Sequence, residues 1–325
     1  MSLNPLVDSR DVRFVVFEML EIDKISRYKR FAGFDRGVYE DTLDLAEKIA
    51  VERFYTSNAE GDKNGLTYNA DTHEVTVPES FHRGCKAYTE AGFHNLAFPP
   101  EEGGMGMPVT ITFASQEYFN AGNTSLGMYC STLTGTAHLL MVYGSEDLKR
   151  LFLHKMITGE WCGTMCLTEP GAGSDVGALK TKAVRQSDGT YLISGQKIFI
   201  SNGEHDLTPN IIHPVLARIE GDPEGTKGIS IFIVPKVLVN KDGSLGERND
   251  MICAGIEHKM GLKGNATATL YFGDQGKCVG YLLGEERQGM KIMFQLMNAA
   301  RIVTGIQAPA VSSAAYMPAG TYAKS

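Results

Sequence analysis

No stretch of this sequence approaches the ~20 consecutive apolar residues that a membrane-crossing helix needs. Positive charge is not in excess. Lys and Arg number 31 against 38 Asp and Glu, for a formal net charge of −7. A nucleic-acid partner would require a basic field, so none is expected. No Cys-x-x-Cys pair occurs, and no histidine cluster has zinc-finger spacing. The six cysteines are Cys85, Cys130, Cys162, Cys166, Cys253 and Cys278. Cys162 and Cys166 are four apart and could share a helical face, but two ligands are too few for structural zinc. All six are read as reduced, mostly buried thiols, and no metal is expected. His82 and His258 stand alone. Internal repeats and low-complexity tracts are absent. The opening MSLNPLVDSRDVRF lacks the apolar run and small-residue cleavage site of a signal peptide. The expected compartment is the cytoplasm.

What is present fits a globular protein with room for two or three domains. The 325 residues are 43% apolar and 21% charged, enough for a sizeable core. The first part reads as helical. In YEDTLDLAEKIAVERFY, Leu43, Ala46, Ala50 and Phe54 recur at helical spacing. GDKNGLTYNADTHEV is polar and turn-rich, and is expected to be a loop. AFPPEEGGMGMP holds prolines and glycines that favour turns. Ile111 to Phe119 resume a helical pattern. SEDLKRLFLHKMITG is the clearest helix. Ser145 can cap it, Glu146 and Asp147 suit its positive end, Leu148, Leu151, Phe152 and Met156 form its apolar stripe, and Gly159 can end it.

After Trp161 the pattern changes. LKTKAVRQ-SDG-TYLISG reads as a hairpin turning at Asp188-Gly189. QKIFIS, GISIFIVPK and TATLYF follow as short β-rich runs. Helix returns from Glu285, with Met290, Met293, Met297 and Thr304 on one face, a stripe better suited to packing than to cofactor binding. Past Gly305 the pattern decays, and Pro309 and Pro318 are expected to bend or end the helix. The expected fold is α+β and multidomain. It has an N-terminal helical domain over 1–160, a middle antiparallel β domain over 161–280, and the start of a C-terminal helical bundle over 281–325. This order argues against a doubly wound nucleotide-binding fold, whose strands and helices alternate.

One stretch, CLTEPGAGSD from Cys166 to Asp175, asks for more. Gly171, Gly173 and Gly177 give G-x-G-x-x-x-G, one residue too long for the dinucleotide fingerprint and without its βαβ context. A nicotinamide-linked oxidoreductase is therefore poorly supported. No G-K-[ST] follows, so it is no P-loop. Yet Thr168 offers a hydroxyl and an N–H, Pro170 stiffens the chain, Gly171 and Gly173 allow close approach, and Ser174 adds a donor. Such a run suits a flat polar heterocycle or an anionic group.

Several segments in order carry a resemblance. MCLTEPGAGSDVGALKTKA followed by YLISGQKIFISNG resembles the flavin-binding core of the acyl-CoA dehydrogenases. PPEEGGMGMP, KGISIFIVPK, HKMGLKGNATATLYF and LLGEERQGMKIMFQLMNAARIVTG resemble further parts of that family over nearly the whole chain. DSRDVRFVVFEMLEID and MFQLMNAAR resemble the subgroup that includes 3-methylmercaptopropionyl-CoA dehydrogenase-like enzymes. The resemblance implies FAD as cofactor and oxidation of an acyl-CoA thioester to the 2-enoyl-CoA. It implies that Met165, Cys166, Leu167 and Thr168 lie along the flavin, with the Thr168 hydroxyl and amide bonding its ring. Gly173 belongs to the same loop, and Ser174 matches a serine that contacts the CoA moiety and the flavin side. Phe199, Ile200 and Ser201 match a Trp-Ile-Thr or Trp-Ile-Ser segment whose aromatic packs on the flavin. Phe in place of Trp keeps an apolar face but removes the indole donor. Asn298 and Arg301 match helix residues that contact CoA, Arg supplying a fixed positive charge.

The resemblance also implies an electron-transfer flavoprotein as electron acceptor and a homodimer or homotetramer. The family's catalytic carboxylate is expected beyond the C-terminus of this chain. The alternative family position, directly before the matching arginine, holds Ala300, which cannot take a proton. Glu285 and Glu286 lie too close to the domain junction to replace it. A non-catalytic FAD- or CoA-binding or assembly module, pairing with another chain, is the alternative reading.

Overall fold

The computed structural model describes residues 4–325. Its N-terminal part is built from helices around an aromatic core. Helix α1 (Arg36–Ile49) is capped by Asp35, whose carboxylate accepts from the Val38 N–H at 3.0 Å. Its i, i+4, i+7 spacing buries Tyr39, Leu43 and Ala46 completely. A wider helical turn (Ala50–Tyr55) leads into α2 (Thr56–Asn64). Ala50 and Phe54 are fully buried, as the helical spacing requires. Helix α3 (Glu79–Glu90) and helix α4 (Val109–Tyr143) complete the layer. Phe54, Tyr88, Phe93 and Phe119 meet there in tilted and edge-on pairs 4.9–6.3 Å apart.

Helix α4 runs far beyond the nine residues whose pattern announces it. It bends at Asn123 (φ −160°, ψ 98°). The Asn123 side chain repairs the break, accepting from the Leu126 N–H and donating to the Ser57 hydroxyl. The helical segment over 146–157 opens as expected, with the Ser145 hydroxyl accepting from the Leu148 N–H. It buries Leu148, Phe152 and Met156, while Leu151 is half-buried. Gly159, at φ +75°, closes it.

The stretch expected as a loop after Gly61 is ordered instead. Helix α2 continues to Asn64, and Thr67–Asn69 pairs antiparallel with Glu74–Thr76. Only Val75 of this hairpin is buried, and three residues a strand are too few for alternation to reveal it. Tertiary contact fixes it: the Tyr68 hydroxyl donates to the Cys253 carbonyl at 2.9 Å.

The middle of the chain supplies ten strands. Val237–Val239 and Leu245–Arg248 pair by themselves, and the other eight form one sheet: β1 (Cys162–Gly163), β2 (Lys182–Arg185), β3 (Tyr191–Ser201), β4 (Ile211–Ile219), β5 (Ile229–Pro235), β6 (Met251–Ile256), β7 (Thr267–Phe272) and β8 (Val279–Leu282). The order is β6-β7-β3-β8-β5-β4-β1, and β2 bridges β3 and β4. Strands β3, β8, β5, β4 and β2 thereby close into a ring. Most pairings are antiparallel, and β4 runs parallel to β1 and β2. The hairpin at Asp188-Gly189 is present, with Lys182–Arg185 opposite Tyr191–Ser194. Strand β5 is buried along its whole length, as a strand covered on both faces should be. Cys162, in β1, and Cys166 both lie in extended backbone paired alongside β4, not on a helical face. All six cysteines are free and buried.

Helix α5 (Gly289–Tyr322) runs antiparallel to α4. A side chain at Gly135 of α4 would collide with Leu296 of α5, so the glycine sets the approach. Met293 is buried, Met290 and Met297 pack partly, and Thr304 is exposed. The helix does not stop after Gly305 but continues through Pro309 and Pro318. Both prolines lie on its exposed side, where water can satisfy the carbonyls left without an N–H partner. Among the described residues no helix is long and apolar enough to cross a membrane.

Candidate functional site

The CLTEPGAGSD stretch leaves the barrel beside β4 and returns to it through a tight turn. Cys166 is held on both backbone sides, donating to the Pro214 carbonyl and accepting from the Leu216 N–H. Glu169 and Ala172 exchange two backbone hydrogen bonds of 3.1 Å around Pro170-Gly171. The Thr168 carbonyl accepts from the Ile198 N–H at 2.9 Å. That bond joins the loop to the end of β3.

Strand β3 carries a bulge at this point. Ile200 faces Ala268 and Lys197 faces Leu270, so Ile198 and Phe199 together oppose a single residue of β7. Phe199 takes φ +59° and is 57% exposed. A bulky aromatic in left-handed backbone, displayed to solvent, costs both strain and apolar exposure. Such a residue is the kind of outlier from which a site is inferred.

Beneath the loop lies a buried ion pair. Lys197 is 0% exposed and Glu169 5%. The Lys197 ammonium donates to the Glu169 carboxylate at 2.8 Å and to the Leu167 carbonyl at 3.0 Å. Glu169 also accepts from the Thr181 hydroxyl at 2.5 Å, the Thr181 N–H at 3.1 Å and the Lys180 N–H at 2.6 Å. Burial pushes the Glu169 carboxyl upward, but Lys197 and these donors outweigh it and hold it below its ordinary range. Burial likewise draws Lys197 below its ordinary value, against the pull of Glu169. The Cys166 thiol is pushed up to about 12 by burial, so it is no thiolate nucleophile. His213, whose Nδ1 lies 2.8 Å from the Thr164 hydroxyl, is pulled down to about 3 by burial and stays neutral.

The Thr168–Ile198 bond therefore sets the loop of Met165, Leu167, Thr168, Gly173 and Ser174 beside the end of β3, where Phe199 follows Ile198; Ser201, two residues further, pairs with Thr267 of β7 and makes no hydrogen bond to the loop among the described residues. Cys166 and Ile200 turn their side chains into the core; their share in any site is main-chain only. Leu167 is buried and Met165 partly buried. Gly173 and Ser174 are exposed. Asn298 and Arg301 lie on the exposed side of α5, with no hydrogen bond or ion pair to the loop among the described residues. The Arg301 guanidinium sits 5.5 Å from the Phe294 ring centroid. Glu286 is committed elsewhere, accepting from Arg185 at 2.8 and 3.0 Å and from the Tyr191 hydroxyl at 2.9 Å.

The Glu169–Lys197 pair escapes the sequence reading. Its signal was nevertheless present, since Lys197 falls in phase with the inward residues Tyr191 and Ile193 of the same strand.

Two further observations bear on what the loop could hold. Among the described residues, the Thr168 hydroxyl and the Leu167 and Thr168 N–H groups make no protein hydrogen bond. Gly171 and Gly173 have no left-handed φ, and added Cβ atoms would meet nothing closer than 3.9 Å. The chain itself gives no reason for glycine there, whereas a flat group lying on the loop does. A flavin ring fits these residues: free donors, an exposed aromatic and a bare backbone cradle.

Comparison with known proteins identifies the family. The profile of the acyl-CoA dehydrogenase N-terminal domain matches residues 62–160, and that of the middle domain residues 164–275. The chain is 37% identical over 316 residues to the 3-methylmercaptopropionyl-CoA dehydrogenase of Ruegeria pomeroyi, covering 97% of this chain and 53% of that protein. It is 32% identical over 279 residues to the short-chain-specific acyl-CoA dehydrogenase of Clostridium acetobutylicum, covering 86% of this chain and 68% of that one. A solved acyl-CoA dehydrogenase of Bacillus anthracis complexed with FAD superposes with a TM-score of 0.65 at 25% identity, over 83% of this chain and 41% of that chain. The chain belongs to the acyl-CoA dehydrogenase family, a family of flavin-dependent oxidoreductases. Within it, the relatives matched over the most sequence include 3-methylmercaptopropionyl-CoA dehydrogenase, and this chain spans about half their length.

Proposed function

We propose that this chain forms the flavin site and part of the CoA site of an FAD-dependent acyl-CoA dehydrogenase. The observation that carries the reading is the pairing of Thr168, with its free donors, and the strained, exposed Phe199 across one backbone hydrogen bond. Domains over 1–160, 161–280 and 281–325 form the frame, with the loop at the start of the second.

When bound, FAD supplies a two-electron acceptor that takes the β-hydrogen of the acyl group as hydride. The rest falls to the protein. Met165 and Leu167 line the flavin edge, and Cys166 and Ile200 contribute backbone. The Thr168 hydroxyl and N–H would bond the ring, Phe199 would pack on it, and Ser201 would bond its polar part. Gly173 lets the ring approach, and Ser174 faces both flavin and CoA. Asn298 and Arg301 hold CoA, the guanidinium meeting phosphate. Oxidation also requires a carboxylate to take the α-proton. Glu169 cannot serve, because its oxygens are saturated by Lys197, Thr181 and Lys180. Ala300 has no proton acceptor. The base is proposed to come from outside these 325 residues.

The enoyl-CoA product, an electron-transfer flavoprotein as oxidant of the reduced enzyme, a homodimeric or homotetrameric assembly and a cytoplasmic location complete the proposal.

The test is the visible absorption spectrum of the purified chain after FAD is added and the excess removed. A retained flavin spectrum, bleached by acyl-CoA when the base is supplied, is the expected result. Retention without bleaching selects the non-catalytic binding module instead. No retained flavin in the chain, alone or assembled with a chain that supplies the C-terminal half of its relatives, overturns the reading.

A further inference from the structure

We propose that Lys197 is a positioning residue for the cofactor: by holding the Leu167 carbonyl inside the barrel, it turns the Thr168 N–H outward and strengthens it as a donor. This rests on the flavin reading above. The Leu167 C=O and the Thr168 N–H belong to one peptide unit. That unit is planar and trans, as no cis bond occurs among the described residues, so the two groups point in opposite directions. Lys197 draws the carbonyl inward at 3.0 Å. The N–H must then face away from the barrel, where no protein acceptor meets it. A cation on the carbonyl also polarises the peptide, and hydrogen bonds in such chains reinforce one another.

A simpler role for Lys197 would be neutralising Glu169. That role does not explain the second bond. Buried ion pairs are commonly replaceable by neutral residues without loss of stability, yet this ammonium reaches past its partner to the main chain of the loop. Glu169, in turn, bonds the backbone of Lys180 and Thr181. The pair thus spans three segments: β3 through Lys197, the loop through Leu167, and the approach to β2 through Thr181. The next peptide is fixed as well, because the Thr168 carbonyl accepts from Ile198. Thr168 is held on both sides with its donors left free.

The two roles separate in a pair of variants of the full chain. Glu169→Gln keeps Lys197 and its bond to Leu167. Lys197→Met with Glu169→Gln removes that bond and leaves no buried charge unpaired. Folding is checked by circular dichroism and denaturation. Two readouts follow: the Thr168 amide resonance in the flavin-free, ¹⁵N-labelled chain, and the flavin Kd from fluorescence quenching. Relative to Glu169→Gln, the double variant is expected to move the Thr168 resonance and raise the Kd about tenfold or more, the worth of one charge-assisted hydrogen bond. A folded double variant with the resonance and Kd of Glu169→Gln overturns the proposal. If neither the starting chain nor its assembly holds flavin, the functional reading fails by itself, and the Thr168 resonance still decides: moved, it upholds the positioning role; unmoved, it overturns it. Should the double variant not fold, Lys197→Gln with Glu169→Gln carries the same readouts.

Discussion

Asn202 and Thr132 fasten the barrel to the helical layer. The Asn202 side-chain amide donates to the Thr132 hydroxyl at 2.8 Å and to the Met128 carbonyl at 2.9 Å, both on α4. Its own oxygen accepts from Asn265 at 2.5 Å. Asn202 also takes φ +59°, a conformation that Asn tolerates better than most residues. Replacing it with Ala removes three hydrogen bonds from a fully buried place and adds backbone strain. Asn202→Ala is expected to destabilise the chain by about 2–4 kcal/mol. Urea denaturation measures it, and a loss under about 0.5 kcal/mol would show that this junction contributes little.

Phe199 makes an opposite pair of effects testable. Its left-handed backbone costs on the order of 1–2 kcal/mol, and its ring gains little by exposure. Glycine relieves the strain at an entropic cost of about 0.5–1 kcal/mol. Phe199→Gly should therefore leave the stability of the flavin-free chain unchanged or slightly raised. Flavin affinity should fall at least tenfold, since a stacked ring is lost. A variant less stable but equally tight in flavin binding would contradict the role given to this residue.

Thr168 and Gly173 test the two sides of the cradle. Thr168→Val deletes a free hydroxyl at little cost to packing, and should weaken flavin retention by roughly tenfold. Gly173→Ala places a methyl in open space, 3.9 Å from the nearest atom. It should stabilise the free chain by up to about 1 kcal/mol through the unfolded state while hindering flavin. Equilibrium dialysis against FAD reads both. Wild-type retention in both variants would move the flavin off this loop.

Local signals proved legible where one element settles its own fate. Ser145 caps a helix through its own side chain, and Asp188-Gly189 turns a hairpin whose two strands are adjacent in sequence. The helix–barrel–helix order follows from such elements, and the CLTEPGAGSD loop stands out in the sequence by its donors and glycines. What stayed hidden depends on distant partners. The hairpin at Thr67–Thr76 is anchored by Cys253, far along the chain. Closure of the barrel needs β2 to reach both β3 and β4. Helix α5 survives Pro309 and Pro318 because each faces solvent, a fact set by packing against α4. Lys197 reads as an ordinary strand lysine until Glu169 is folded beneath it.

That buried pair also sets a pH dependence. Glu169 titrates below its ordinary value in the folded chain. A depressed carboxyl contributes stability that is fully present above its ordinary range and is lost as pH falls through the folded value. Below that point the acid is neutral and Lys197 remains buried without its counter-charge. Glu169→Gln removes the titration but keeps acceptors for Thr181 and Lys197. At pH 7 it should cost about 1–3 kcal/mol, less than deleting one partner of a buried pair outright. As the pH is lowered through the carboxylate range, the parent chain should lose stability faster than Glu169→Gln, and the two curves should converge. Urea midpoints for both chains from neutral to acid pH measure this. Parallel curves would mean that Glu169 has the same proton affinity folded and unfolded, which three donors and a buried ammonium do not permit.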